Sequence, residues 1–150
     1  MSPTHASRWA EPVYIDASAL VKLFVPEAES GALNKELAGL SDVIISDLAL
    51  TEMASALGRR AREGLLSRHE AERLYREASK LLSSSRHAEL TPPIHRRAER
   101  LLVSLSLPLR ALDALHLATA LDAQASTLVS FDPRLRDAAA SQGLFVAPMA

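Results

Sequence analysis

The chain has no cysteine. Disulfides, thiolate zinc sites and a cysteine nucleophile are therefore excluded. Glycine is scarce: five residues, at positions 31, 39, 58, 64 and 143, with no two close enough for G-x-G. That rules out a Rossmann glycine turn and a P-loop. No G-x-S-x-G elbow is present, which removes the α/β-hydrolase type of nucleophile. The five histidines, at 5, 69, 87, 95 and 116, never fall at i, i+4, and His69-Glu70 is not completed into H-E-x-x-H. A helical histidine zinc site is thereby excluded as well. Long apolar runs are also missing. The longest stretch without Asp, Glu, Lys, Arg or His is Ala138–Ala150, 13 residues, short of the roughly 20 that a membrane-spanning helix needs. MSPTHASRWAEP at the start lacks the apolar core of a secretory signal and reads as a loose tail over residues 1–12.

What is present is ordinary for a single globular domain of 150 residues: 48% hydrophobic and 23% charged. Ala and Leu, 26 of each, favour helix over strand. The absence of cysteine fits a reducing, cytoplasmic setting. The net charge of −1 hides an asymmetry. Arg59–Arg100 holds 11 Arg or Lys against 6 Asp or Glu, a net +5, and the rest of the chain is net −6. The basic segment is a set of solvated helix faces, or a surface for a polyanion.

Short β-rich runs alternate with helical stretches. PVYID (12–16) is a strand ending on an acid, and Ala17–Val25 a helix stopped by Pro26. Glu27–Leu40 reads as a second helix and Val43–Ile45 as a second strand. Ser46 or Asp47 caps a long helix that runs to about Glu63 and ends at Gly64. Ser67-Arg-His-Glu70 is a capping box that opens a helix to Ser83. A third strand is expected at Ala88–Thr91, and Thr91-Pro92 opens the next helix. Pro108 breaks that helix, Arg110–Ala125 is helical again, and Ser126–Phe131 is a buried strand. Asp132-Pro133 opens a helix closed by Gly143, and Leu144–Ala147 is the last strand. Strands that alternate with helices predict a parallel sheet covered on both faces, an α/β fold of three layers.

Four acids stand out. Asp16 follows the first strand, where ligands bind in open parallel sheets, although alone it is more simply an N-cap. Glu52, in LALTEMASAL, has Leu48 and Ala56 at i−4 and i+4. On that apolar face it needs a partner, whether an Arg across the core or a functional ligand. Asp113, in LRALDALHLATAL, has Leu109 and Leu117 four residues away on either side. His116, three residues on, could share its face, most simply as a hydrogen-bonding core histidine. Asp132 precedes Pro133 after a strand, as either an N-cap or a strand-end ligand. Four carboxylates that converged would repel unless protonated or neutralised. An all-oxygen site suits Mg²⁺ or Mn²⁺, which activate water and stabilise phosphoryl oxygens.

The blocks VYIDASALVKLF, ISDLALTEMASALGR, LRALDALHLATAL and TLVSFDPRLRDAA–GL together resemble the four acidic blocks of a PIN-domain nuclease. They are most similar to the VapC-type toxins of bacterial toxin–antitoxin pairs. The resemblance spans Val13 to Val146 and falls on Asp16, Glu52, Asp113 and Asp132, the same acids. Ser18 and Ser130 match polar positions that accompany them.

The resemblance implies a three-layer α/β/α PIN-like domain over residues 13–150 and a Mg²⁺-dependent endoribonuclease, with Mn²⁺ as a substitute. It implies Asp16 and Asp113 as the most direct metal ligands, with Glu52 and Asp132 completing the acidic pocket. Ser18 and Ser130 would stand at the substrate, Ser18 bonding a carboxylate or the phosphate. RNA backbone would lie on the Arg59–Arg100 segment. Expected partners are a VapB-type antitoxin whose tail blocks the site and a second copy of the chain. To the homodimer the sequence adds only the apolar Leu20, Leu23, Phe24, Leu48 and Leu50, which a core could absorb. A competing reading is an inactive PIN-like binding module, which has no need of four crowded carboxylates. A small phosphatase of the haloacid-dehalogenase type needs D-x-D, and Asp16-Ala-Ser18 lacks the second Asp.

Overall fold

Val13-Tyr14-Ile15 forms strand β1 (Val13–Ile15) at the centre of a parallel sheet. The computed structural model describes residues 8–149. The elements that follow β1 are α1 (Ala17–Phe24), α2 (Ser30–Ala38), β2 (Val43–Ser46), α3 (Asp47–Arg62) and α4 (Arg68–Ser84). Next come β3 (Arg86–Ala88), α5 (Pro92–Ser104), α6 (Ala111–Asp122), β4 (Thr127–Val129), α7 (Pro133–Ser141) and β5 (Phe145–Ala147). Strand order is β3-β2-β1-β4-β5, with every neighbouring pair parallel. Tyr14 lies opposite Ile44 on one side and Leu128 on the other.

The period-two alternation of strands sorts the core into two layers. Val13, Ile15, Ile45 and Val129 pack under α1, α3 and α4. Tyr14, Ile44 and Leu128 face the other way, under α5, α6 and α7. Helices must change face when the chain reverses its direction of travel across the sheet, because parallel crossovers are right-handed. The reversal falls between β1 and β4, and the helices after β3 lie on the opposite face. Helix α6 is buried nearly all round, and its Ala114, Ala118 and Ala120 let neighbouring backbones come close.

Local chemistry explains most boundaries. Asp16, Ser46, Ser67 and Asp132 all cap helices with their side chains. The Ser67–Glu70 capping box is formed in both directions. Gly64 and Gly143 take positive φ, of 77° and 87°, just past α3 and α7, where a side chain would be strained.

Several expectations shift. The third strand is Arg86–Ala88, not Ala88–Thr91. It starts directly after Ser85 ends α4, because Arg86, His87 and Ala88 pair with Ile44, Ile45 and Ser46. The second helix starts at Ser30 rather than Glu27, since Glu27 and Glu29 turn to Lys22. Helix α6 begins at Ala111 and ends at Asp122, and β4 is trimmed to Thr127–Val129. The described part of the N-terminal tail is not loose. Thr127 Oγ1 donates to Ala10 O, Ser126 N–H to Pro12 O, and the Glu11 carboxylate accepts from Ser41 and Asp42 N–H. Residues 1–7 and 150 lie outside the described residues. Leu20 and Leu48 are buried and Leu23, Phe24 and Leu50 pack against the core, so the core absorbs all five. Among the described residues the exposed large apolar side chains include Leu102, Val103 and Phe145.

Leu117 on α6 is fully buried in the second layer. Leu117→Ala is expected to cost about 2–5 kcal/mol. Urea denaturation should show a lower midpoint at unchanged slope.

Candidate active site

Asp16 ends β1, the residue pair Ser130 and Asp132 follows β4, and these are the two strands between which the order reverses. Crevices at such a reversal, beyond the carboxyl ends of the strands, are where open α/β sheets bind ligands.

Asp16 is buried, so its carboxylate needs donors. Oδ1 accepts from Ala19 N–H (3.0 Å) and Ser18 Oγ (2.8 Å), and Oδ2 from Ser130 Oγ (2.6 Å). Ser18 Oγ also lies 3.0 Å from Oδ2, so its one proton is shared between the two carboxylate oxygens. Burial pushes the Asp16 carboxyl up, against the pull of His116, Ser130, Ala19 and Ser18. The two serines also accept: Ser18 Oγ from Phe131 N–H (2.9 Å) and Ser130 Oγ from Asp132 N–H (3.0 Å). They tie the start of α1 to the β4–α7 turn. Ser130 is wholly buried and its hydroxyl is spent on these bonds, which makes it an orienting group for Asp16. Ser18 is only partly buried and lines the groove described below.

Asp113 is on α6, in the apolar helical segment where the sequence places it. It lies in the first turn of α6, because the helix starts at Ala111. Its Oδ2 accepts from Arg110 N–H (3.2 Å). Asp132 caps α7, accepting from Arg134 N–H (2.9 Å). Burial pushes the Asp113 carboxyl up, and the Asp132 charge beside it raises it further. The repulsion that the sequence suggests among the acids is thus found at Asp113–Asp132. Asp16, Asp113 and Asp132 each stand at a helix N-terminus, where the peptide dipoles favour negative charge.

Glu52 comes from α3, on the far side of the sheet from α6. Its partner is not an Arg but His116: Nε2 stands 2.5 Å from Glu52 Oε1. His116 Nδ1 lies 2.6 Å from Tyr14 Oη, which in turn donates to Ser46 Oγ at 3.1 Å. Burial pushes the Tyr14 hydroxyl far up, with Asp16 and Glu52 adding to it, so it stays neutral. Sequence reasoning missed Tyr14 altogether. The one signal for it was a hydroxyl-bearing residue inside the apolar run VYI.

Beside Ser18 and Glu52 runs a groove of about 450 Å³ that also meets Lys22, Arg59, Arg60 and Leu112. Lys22 pairs with Glu27 and Glu29, and Arg60 with Glu27. Arg59 makes no ion pair among the described residues. Elsewhere in the basic segment Arg73, Arg86 and Arg96 pair with Glu77, Asp42 and Glu99 on exposed surfaces. The Arg59 end of the segment thus shares a groove with Glu52 and Ser18.

No group of three or more His, Asp or Glu that could hold an ion is assembled among the described residues. The donors nonetheless suit a hard divalent ion. They are carboxylate oxygens, and Asp113 and Asp132 lie close enough for the Asp132 charge to push the Asp113 carboxyl up, a repulsion that a cation would relieve.

The raised Asp113 carboxyl means that the folded state binds its proton more tightly than the unfolded chain does. Its contribution to stability is full below the ordinary carboxylate range and is lost as pH rises through the raised value. Asp113→Asn removes the charge and lets an amide donate to Asp132. In EDTA at pH 7 it should raise the melting temperature by about 2–4 °C, the shift expected for ~1 kcal/mol in a domain of this size. That advantage should shrink as pH falls through the raised Asp113 value. A melting series from pH 7 to pH 4 checks both.

The model of the PIN domain matches residues 13–141. Ribonuclease VapC46 of Mycobacterium tuberculosis is 35% identical over 136 residues, covering 89% of this chain and 95% of that protein. The structure of the M. tuberculosis toxin VapC20, described as cleaving the sarcin–ricin loop, superposes with a TM-score of 0.69 at 20% identity, covering 88% and 95% of the two chains. A toxin–antitoxin complex from Klebsiella pneumoniae superposes with a TM-score of 0.63 at 21% identity, covering 91% and 96%. The fold that carries the acids is shared with these structures, and the chain belongs to the PIN-domain family, alongside its VapC-type members.

Proposed function

We propose that this chain is a Mg²⁺-dependent endoribonuclease, with Mn²⁺ as an alternative ion, acting in the cytoplasm as the toxin of a toxin–antitoxin pair. The observation that carries this reading is the set of acids at the reversal of strand order: Asp16, Asp113 and Asp132 at three helix N-termini, with Glu52 brought over from α3. The ribonuclease name of the relative at 35% identity supports it.

Asp16 and Asp113 would hold the ion most directly, and Glu52 and Asp132 would complete the set. A bound divalent ion lowers the pKa of water and offsets charge on the scissile phosphate. The chain's own work is to aim these oxygens. Ser18, Ser130 and the Ala19 N–H fix Asp16, and the Arg110 N–H holds Asp113. The Oε2 of Glu52, which has no hydrogen-bond partner among the described residues, can orient a water. Arg59, at the groove rim, supplies positive charge for an RNA phosphate, and Ser18 lines the same groove. The reading includes a homodimer, to which exposed apolar residues such as Leu102 and Val103 on α5 are open.

Purified protein is expected to cut structured RNA with Mg²⁺ or Mn²⁺ and not in EDTA. Equal cleavage in EDTA would sink the reading. Asp16→Asn should lower the rate roughly 100-fold or more. An Asp16→Asn protein that cuts as well as wild type removes Asp16 from the site, and a wild type that binds RNA without cutting it marks a binding module.

An acidic pocket accepts a guanidinium as well as a metal ion, because Arg can pair with two carboxylate oxygens at once. A VapB-type antitoxin tail carrying an Arg would therefore compete with the ion. Raising Mg²⁺ should weaken inhibition, and replacing that Arg with Ala should restore cleavage while the complex persists. Inhibition indifferent to both places the block elsewhere.

A further inference from the structure

One hydrogen-bonded chain crosses the carboxyl edge of the sheet and joins residues far apart in sequence: Ser46 at the end of β2, Tyr14 in β1, His116 in α6 and Glu52 in α3. His116 is 3% exposed and both its ring nitrogens are engaged, Nδ1 at 2.6 Å from the Tyr14 hydroxyl and Nε2 at 2.5 Å from Glu52 Oε1. Rotating the ring breaks both contacts. A glutamate has three side-chain torsions, and Glu52, 28% exposed, has no other hydrogen bond among the described residues. His116 therefore decides where that carboxylate points. It also stands one turn beyond Asp113 on the same helix, so α6 carries one acid and aims a second.

We propose that His116, itself oriented by Tyr14, is a positioning residue. It pins Glu52 Oε1 from across the sheet, so that Oε2 alone is presented to the divalent ion or its water. The proposal rests on the metal-dependent nuclease reading above. Partners that aim metal-binding side chains typically change affinity or activity about 10–100-fold when removed.

The contrast of two amides tests it. The side-chain nitrogen of Gln can reach the place of His Nε2 and donate to Glu52, whereas that of Asn reaches only the place of Nδ1. His116→Gln should keep Mn²⁺ affinity, read by electron paramagnetic resonance without RNA, within about threefold of wild type. His116→Asn should weaken it about 10–100-fold and lower kcat more than it raises the KM for RNA. In a Glu52→Gln background, His116→Asn should change Mn²⁺ affinity less than about twofold, because the route is already cut. Tyr14→Phe, which keeps the ring and the core volume, should weaken Mn²⁺ binding in the same direction, and it carries the test if the His116 variants do not fold. Gln and Asn variants that fold and bind Mn²⁺ alike, or an undiminished His116→Asn effect in the Glu52→Gln background, overturn the positioning role while the nuclease reading stands. A wild type that neither binds Mn²⁺ nor cuts RNA overturns the nuclease reading first and this role with it.

Discussion

The burial of one carboxylate at the reversal of strand order is the constraint on which the rest of the site depends. Asp16 follows directly from the central strand, and β2 and β4 flank that strand on both sides. A buried charge there must find donors within its own neighbourhood. Those it finds decide the surrounding backbone: the Ala19 N–H makes Asp16 the cap of α1, and Ser18 and Ser130 reach it from opposite elements. Because both serines also accept from N–H groups at 131 and 132, the β4–α7 turn is built around Asp16. The arrangement that makes Asp16 tolerable in the core thus also places Asp132.

The remaining negative charge is spread rather than cancelled. Three of the four acids take up helix N-termini, each offset in part by peptide dipoles. Such offsets are modest, and the Asp132 charge still acts on Asp113. Structural capping and a ligand role are therefore not rival explanations for these residues. A cap holds a carboxylate at a fixed point with lone pairs to spare, which is what a metal ligand requires. The cost of setting Asp132 beside Asp113 remains in the fold as the raised Asp113 carboxyl.

Much of this architecture is legible in the chain because it rests on local chemistry. Asp132-Pro133, the Ser67–Glu70 box and Gly64 each declare a helix boundary within a few residues, and the structure follows them. The apolar run VYI also reads correctly as a strand. The failures share a cause. Strand β3 is held by its pairing with Ile44–Ser46, and RHA carries no apolar pattern of its own. The segment 8–12 looks like a tail, yet it is fastened by Thr127, Ser126 and Ser41, more than two dozen positions away. The four acids could be picked out singly, because a carboxylate among leucines or after a strand is conspicuous. The partner of Glu52 could not. A histidine on an apolar helix gives no sign of which distant side chain it will meet.

That last pair shows why an intact set of acids is not a sufficient description of the site. Helices α3 and α6 pack on opposite faces of the sheet and belong to separate cores. At the carboxyl edge, where the strands stop, side chains from the two layers meet. Tyr14 turns toward the α6 layer, and its hydroxyl reaches both Ser46 at the end of β2 and His116. His116 then reaches Glu52 beyond the strand ends. A polar path of this kind is stable only if every member is satisfied, since a partly satisfied buried network costs more than an apolar one. No buried side-chain nitrogen or oxygen among the described residues lacks a partner. The two layers are thus joined at the site by hydrogen bonds. The position of Glu52 relative to Asp113 is set by how α3 and α6 pack, and not by the sequence around either acid.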